Sequence, residues 1–490
     1  MNPYIHPTQK IEAHFRQSYP WRAAAPDQRK RFYPSFVTLR ERKYHRETES
    51  TSNSPMPFSR EIRPTIGFVD EYCQWFEGLF PEVRSFEAFK FLHLGMVSEI
   101  KRKSLPAIAK AVGLDNSQSL HHFLSTSPWS ANQLRQKRLE LTLQVLKGRS
   151  LILLIDETGD CKKGKSTDYV KRQYIGNVGK KENGIVAVTA YGLVDGMIIP
   201  LSFEVYKPRE RLKPSDEYQT KPQIAAKMIR ALQEMGFEFE LVLADSLYGE
   251  SQTNFVNVLD ELKLPYILAI RSNHGVWLPQ DQQIHEEPWQ TFKRTFSNGT
   301  TEIRYMREVI YGKRHRKRYW LLTTDPETLP DNSTSFVMVA APEVKLTEIA
   351  DRYGFRTWIE YGLKQSKDAL GWADFRVTEY TQIERWWEIV MSAFLMVSLF
   401  ADAFNDSFPL VHQQFARHPW WNQQGGWKHL LNNLRLIIQP LICSNWLKPW
   451  LEVFTDCSPQ AELEKLIHKM NQFSCPVLHG MNGQPSFSSA

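Results

Sequence analysis

Leu151-Ile-Leu-Leu-Ile-Asp156 decides the fold: five apolar residues in succession, closed by an acid. A run so short, without the 3.6-residue spacing of an amphipathic helix, predicts a strand buried on both faces that delivers the Asp156 carboxylate to its end. Working outward, residues 185–194 and 197–206 read as two more strands, joined at Asp195-Gly196, the dipeptide that a tight hairpin needs. A helix over 222–235 stops at Gly236, and Phe239-Glu-Leu-Val-Leu-Ala-Asp245 repeats the first pattern, an apolar strand ending in aspartate. A helix near 253–262 and a strand over 266–270 follow. Three strands, helix, strand, helix, strand is an α/β order, with acids at the ends of the first and fourth strands.

A third acid lies in Tyr353-Gly-Phe-Arg-Thr-Trp-Ile-Glu-Tyr-Gly-Leu-Lys-Gln-Ser-Lys367. At ~100° per residue, a continuous helix would set Tyr353, Arg356, Glu360 and Lys367 on one arc about 60° wide, with Lys364 beside it. Phe355, Ile359, Leu363 and Leu370 would point the opposite way, into a core. The plain interpretation is a solvated face with ordinary ion pairs. Four named residue types at fixed offsets, each with a frequency of roughly 1 in 20, nevertheless coincide by chance in few chains of this length.

A chain of 490 residues with 42% hydrophobic content supports two to four units and sizeable cores. The net charge of +7 is mild, so a nucleic-acid face has to come from local clustering. Two clusters qualify. Lys162, Lys163 and Lys165 follow the first acid, with Lys171-Arg172 and Lys180-Lys181 beyond them. Lys313-Arg-His-Arg-Lys-Arg318, containing Arg314, Arg316 and Arg318, is flanked by Tyr311, Tyr319 and Trp320, a pattern suited to a phosphate backbone with stacking aromatics or to a solvated hairpin tip. Residues 105–124 have helix-turn-helix rhythm, followed by Arg135, Lys137 and Arg138 on another helix. Five scattered cysteines without a C-x-x-C pair point to neither a disulfide framework nor a zinc site, and fit a reducing cytoplasm. The apolar stretch 389–404 is too short to span a bilayer, so no membrane role is expected.

The spacing Y-x2-R-x3-E-x6-K resembles the signature of the DDE transposases of bacterial insertion sequences. The words D-E-T-G at 156–159, K-K-G-K at 162–165 and R-Q-Y-I-G at 172–176 are similar to one branch of that family, over roughly residues 65–400. The resemblance implies a ribonuclease-H-like catalytic domain with a β-rich insertion, preceded by a helical DNA-binding domain and followed by C-terminal helices. It implies Asp156, Asp245 and Glu360 as catalytic, metal-binding carboxylates for two divalent ions, magnesium or manganese. Tyr353, Arg356, Lys364 and Lys367 would face DNA phosphates. Its expected partners are double-stranded transposon ends and target DNA, with terminal repeats, a hairpin intermediate and a homodimeric synapse. Glu157 departs from the pattern, which more often has aspartate after the first acid.

The physical logic agrees. Converging carboxylates can hold two cations about 3.5 to 4 Å apart, one activating the attacking oxygen and the other stabilising the leaving one, and magnesium prefers such oxygen ligands. Asp160, Glu250, Asp351 and Asp368 compete for the three places, but Asp160 and Glu250 read as loop residues beyond the strands, and Glu360 alone has a partner at each offset. The expected division is a basic arm to residue 60, helices over 61–148, a catalytic core over 149–271, the insertion over 272–345, the last catalytic helix over 346–380, further helices over 381–455 and a tail to 490. The arm is expected to be dispensable, or translation to begin at Met56. The competing functions are a hydrolytic nuclease of the same fold and a DNA-binding derivative without catalysis. A glycosidase would use two carboxylates but has no need of the basic clusters.

Overall fold

The computed structural model describes residues 60–275, 283–295, 300–311, 316–345, 348–405, 410–455 and 459–481. The basic arm as far as Ser59, with Met56, and the run Lys313 to His315, with Arg314, lie outside the described residues.

The strands are β1 (Leu151–Cys161), β2 (Lys171–Ile175), β3 (Lys180–Val194), β4 (Met197–Val205), β5 (Phe239–Ala244), β6 (Tyr266–Ile270), β7 (Ile284–Glu286), β8 (Gln290–Thr295), β9 (Thr301–Tyr311), β10 (Arg318–Thr323) and β11 (Ser335–Ala340). They form one sheet in the order β2-β3-β1-β5-β6-β11-β10-β9-β7, with β4 also on β3 and β8 on β9. β1, β5 and β6 run parallel at its centre. Leu151 to Ile155 are buried, as a strand covered on both faces requires. At the β3–β4 turn, Asp195 and Gly196 both have positive φ, 46° and 74°, which is the conformation a two-residue hairpin of this hand demands.

The expected placement of Asp156 and Asp160 needs correction. Asp156 does not end its strand, because β1 runs five residues further to Cys161, paired antiparallel with β3 from Asp156↔Thr189 to Cys161↔Gly184. Only the parallel pairing stops there, at Ile155↔Ala244. Asp160 is therefore a buried strand residue rather than part of a loop. The β-rich stretch is moreover continuous with the central sheet, since β11 pairs with β6 from Phe336↔Ile270 to Ala340↔Tyr266.

The helices before the sheet are α1 (Gly67–Gln74), α2 (Val83–Val97), α3 (Leu105–Ala111), α4 (Gln118–Ser125) and α5 (Ala131–Leu146). Those within it are α6 (Lys221–Glu234), α7 (Ser246–Gly249) and α8 (Asn257–Glu261), and those after the insertion α9 (Ile349–Gly354), α10 (Thr357–Lys364) and α11 (Tyr380–Ser398). The chain continues through α12 (Leu410–Phe415), α13 (Trp427–Val453), α14 (Gln460–Met470) and α15 (Pro476–Met481). α2 is buried almost throughout and packs on α1, α3, α4 and α11, while α11 also covers β4. From Arg60 onward the chain forms one compact unit.

One buried ion pair joins these layers. Arg138 on α5 donates to Glu388 of α11 at 2.6 Å, with both side chains fully buried, and to the carbonyls of Pro200 and Leu201 on β4. Arg135 bonds Glu388 and Glu384 at 3.1 Å. These arginines look basic and available in the sequence, yet they face the core because α11 brings carboxylates to them. None of the described helices is long and apolar enough to cross a membrane.

Candidate active site

Asp156 and Asp245 meet because β1 and β5 are adjacent and parallel, each acid following the last paired residue. Asp245 begins α7, its Oδ1 accepting from the Leu247 amide at 2.9 Å. α7 lies so close to β6 that a Cβ on Gly249 would fall 1.9 Å from the Ala269 carbonyl oxygen, so only glycine fits. Asp156 Oδ1 accepts from the Glu157 amide at 2.7 Å. Burial, and then the neighbouring Asp245, push the Asp156 carboxyl up to about 7, against a smaller opposing pull from Arg356. Burial and Glu157 raise Asp245 as well. Two desolvated acids side by side repel each other, and Arg356 offsets only part of this.

Glu360 approaches from the other side of the chain. The stretch Tyr353 to Lys367 is not one regular helix: α9 ends at Gly354, α10 starts at Thr357, and a wide π turn occupies Gln365–Ala369. α10 packs tightly on the sheet because Gly362 has no side chain, and a Cβ there would lie 2.6 Å from Ile198 Cδ1. Glu360 is exposed, its side chain at 59%, and accepts from Arg356 Nη2 at 3.2 Å. Nη1 of the same guanidinium stands 3.9 Å from Asp156 Oδ2. Arg356 thus links Asp156 to Glu360. Among the described residues no three His, Cys, Asp or Glu side chains stand close enough to hold an ion in this arrangement. The chemistry of the donors fits a hard divalent cation all the same: oxygen ligands only, in a half-buried acidic pair whose repulsion a cation would relieve.

Among the residues around the acids, Lys221 and Tyr248 carry no signal in the sequence. Glu157 binds Lys221, at the start of α6, at 2.7 Å and accepts from the buried Tyr248 hydroxyl at 3.3 Å. Glu250 is occupied by the Arg271 amide and His274, at 2.7 and 3.0 Å. Asp351 lies in the first turn of α9, and Asp368 is exposed in the π turn.

The expected DNA-facing residues separate into groups. Lys163, Lys165, Lys364 and Arg316 are exposed. Tyr353 is half-buried and lines a cleft of about 400 Å³ with Ser246, Ala269 and Phe336. Lys162 lies 3.4 Å from the centre of the Phe375 ring. Lys367 is held by β1, donating to the Gly159 carbonyl at 2.7 Å and pairing with Asp160 at 3.2 Å. Arg318 forks onto the buried Glu308, with its Nε 2.6 Å from Oε1. Trp320 is corrected outright: at 2% exposure its indole belongs to the core beside Leu322 and cannot stack on a base from outside.

A pH prediction follows from the raised Asp156. Its ordinary value is 3.8 and its folded value about 7, so between them the folded, cation-free protein holds a proton that the unfolded chain releases. That contribution to stability is complete below about pH 4 and is lost as the pH rises through about 7. Asp156→Asn should therefore raise the thermal midpoint of cation-free protein at about pH 8 and leave it equal to wild type near pH 4. A midpoint at pH 8 that is unchanged or lower would contradict the repulsive pair.

A family model described as DDE superfamily endonuclease matches residues 76–294, a span that includes Asp156 and Asp245. A protein of Microchaete diplosiphon, named "Probable transposase for insertion sequence element IS701", is 64% identical over 325 residues, covering 66% of this chain and 86% of that protein. Identity at that level over most of a transposase, with an endonuclease match running through both aspartates, places this chain in its family: it belongs to the DDE transposases of insertion sequences.

Proposed function

We propose that Asp156, Asp245 and Glu360 form the metal-binding carboxylates of this transposase, and that it moves its element by cut-and-paste: binding terminal repeats, cleaving the ends through a DNA hairpin and joining them to target DNA. The observation that supports the reading most is the half-buried pair Asp156 and Asp245 at neighbouring parallel strands, with Arg356 linking Asp156 to Glu360. Two magnesium or manganese ions bound there would supply an activated oxygen nucleophile and charge neutralisation at the leaving oxygen.

The chain's own residues account for substrate placement. Arg356 presents its fork beside both Asp156 and Glu360, where it can also take a phosphate oxygen bidentately. Lys163, Lys165 and Lys364 are exposed point charges near the acids in the chain, suited to backbone phosphates further along the duplex. Two ends have to be joined to one target, so a homodimer is the proposed working unit, with one site per end.

Glu360→Gln tests the assignment. It removes a ligand charge while keeping size, so end cleavage should fail while the salt dependence of end binding stays at the wild-type slope. Lys163→Ala, Lys165→Ala and Lys364→Ala should act in the opposite way, each lowering the slope of log affinity against log salt by about one and leaving cleavage at saturating DNA largely intact. Cleavage by Glu360→Gln at the wild-type rate would remove this glutamate from the site.

A further inference from the structure

We infer that Glu157, Lys221 and Tyr248 form a clamp on the reverse face of β1 that fixes the Asp156 carboxylate against Asp245, with Glu157 as a positioning residue. The inference rests on the proposed metal-binding role of the two aspartates. Pairing of β1 with β5 ends at Ile155↔Ala244, so the edge of β1 that faces β5 leaves the ladder where the first acid stands. On the opposite edge, Thr189 Oγ1 of β3 donates to the Asp156 carbonyl at 2.9 Å. In a trans peptide the carbonyl and the following amide point in opposite directions. The Glu157 amide therefore faces the gap, where it donates to Asp156 Oδ1 at 2.7 Å. The residue after the first acid thus orients its carboxylate.

Alternation along β1 turns the Glu157 side chain to the face opposite that of Asp156. There Oε1 lies 2.7 Å from Nζ of Lys221, the first residue of α6, and Oε2 accepts from the Tyr248 hydroxyl at 3.3 Å. Tyr248 is fully buried, its ring 5.3 Å from that of Phe255, and it belongs to the helix that Asp245 begins. Its amide donates to the Asp245 carbonyl at 3.2 Å. A continuous path of bonds thereby joins the two acid-bearing segments behind the metal site, in place of the strand pairing that has ended. The Glu157 and Lys221 side chains are only 19% and 17% exposed, and a carboxylate so withdrawn from water needs its counter-charge. Facing away from Asp156, Glu157 acts on the site through position and not as an ion ligand.

The test uses the full chain with Glu157→Met and Lys221→Met, which change the charge in opposite senses at similar side-chain length. If only the electric field mattered, Lys221→Met would strengthen manganese binding to the DNA-free protein and Glu157→Met would weaken it. A clamp predicts that both weaken it several-fold, and that both lower the rate of end cleavage at saturating DNA about 10-fold or more. The double variant is no worse than either single one, and the salt slope of end binding stays at the wild-type value in all three. A slope lower by about one for Lys221→Met would make the lysine a phosphate contact and overturn the clamp.

Tyr248→Phe removes one hydroxyl and no charge. It should lower manganese affinity and cleavage rate several-fold in wild type and change neither further in a Glu157→Met background. A ligand role for Glu157 predicts otherwise: Glu157→Met abolishes binding of an ion, while Lys221→Met and Tyr248→Phe leave manganese affinity intact. That pattern, additive effects, or wild-type manganese affinity in all three single variants with only the thermal midpoint lowered would each overturn the inference. Should a methionine variant fail to fold, Tyr248→Phe decides, with unchanged manganese affinity and cleavage counting against the clamp. If Asp156→Ala and Asp245→Ala leave cleavage and manganese affinity unaltered, the proposed metal site itself fails. Wild-type behaviour of the clamp variants beside inactive aspartate variants would overturn the clamp alone.

Discussion

Asp156→Ala and Asp245→Ala are each expected to reduce DNA end cleavage by at least about 10³-fold, equivalent to about 4 kcal/mol of transition-state stabilisation, and to leave end binding within a few-fold of wild type. The two acids are half-buried at neighbouring strands, so either substitution removes half of the pair that would hold a cation. Nothing in the DNA-facing set is removed, because Lys163, Lys165 and Lys364 keep their exposure. Loss of binding in step with loss of cleavage would show instead that the substitutions disturb the fold. Thermal melts separate the two, since relieving the acid repulsion should raise the cation-free midpoint near pH 8.

Glu388→Ala should be the most destabilising single change away from the site, at about 3–5 kcal/mol. It strands Arg138, whose other partners are the Pro200 and Leu201 carbonyls, and takes one of two acids from Arg135. The pair with its partners joins α5, α11 and β4, so the loss spreads beyond one contact. Thermal melts of Glu388→Ala, Arg138→Met and the double variant measure it. Strong non-additivity, with the double variant less damaged than the two effects combined, is expected for a coupled buried pair; simple additivity would mean that the two side chains are energetically separate.

Local pattern made much of the fold legible. The apolar runs of β1 and β5, the Asp195-Gly196 turn and the strands of the insertion all announce themselves through hydrophobicity and turn chemistry. The extension of β1 to Cys161 does not, because Glu157 to Asp160 contain no apolar run. Pairing with β3 and the close approach of Ile175 to Gly159 make that extension a strand. The break around Phe355 and the π turn at Gln365 likewise depend on how α10 seats against β3 and β4, with Gly362 on Ile198 and Ser366 on Tyr191.

The candidate site follows the same division. Asp156, Asp245 and Glu360 stand out by position and by family resemblance, whereas the fates of the cations depend on partners distant in the chain. Lys367 pairs with Asp160, Arg135 and Arg138 with Glu388, and Lys162 with the Phe375 ring, and no short-range rule in the sequence indicates which lysine or arginine such a partner will claim. Trp320 shows the same for aromatics: proximity to a basic run suggested stacking on DNA, while the sheet turned the indole inward.

The most direct measurement is incubation of the full chain with duplex DNA carrying the flanks of its own gene, with magnesium and with the metal chelated. The account predicts cleavage at the element ends and joining to target DNA only with the metal, and none with Asp156→Ala, Asp245→Ala or Glu360→Gln. Cleavage that persists in chelator, or in all three variants, would contradict a metal-dependent carboxylate site.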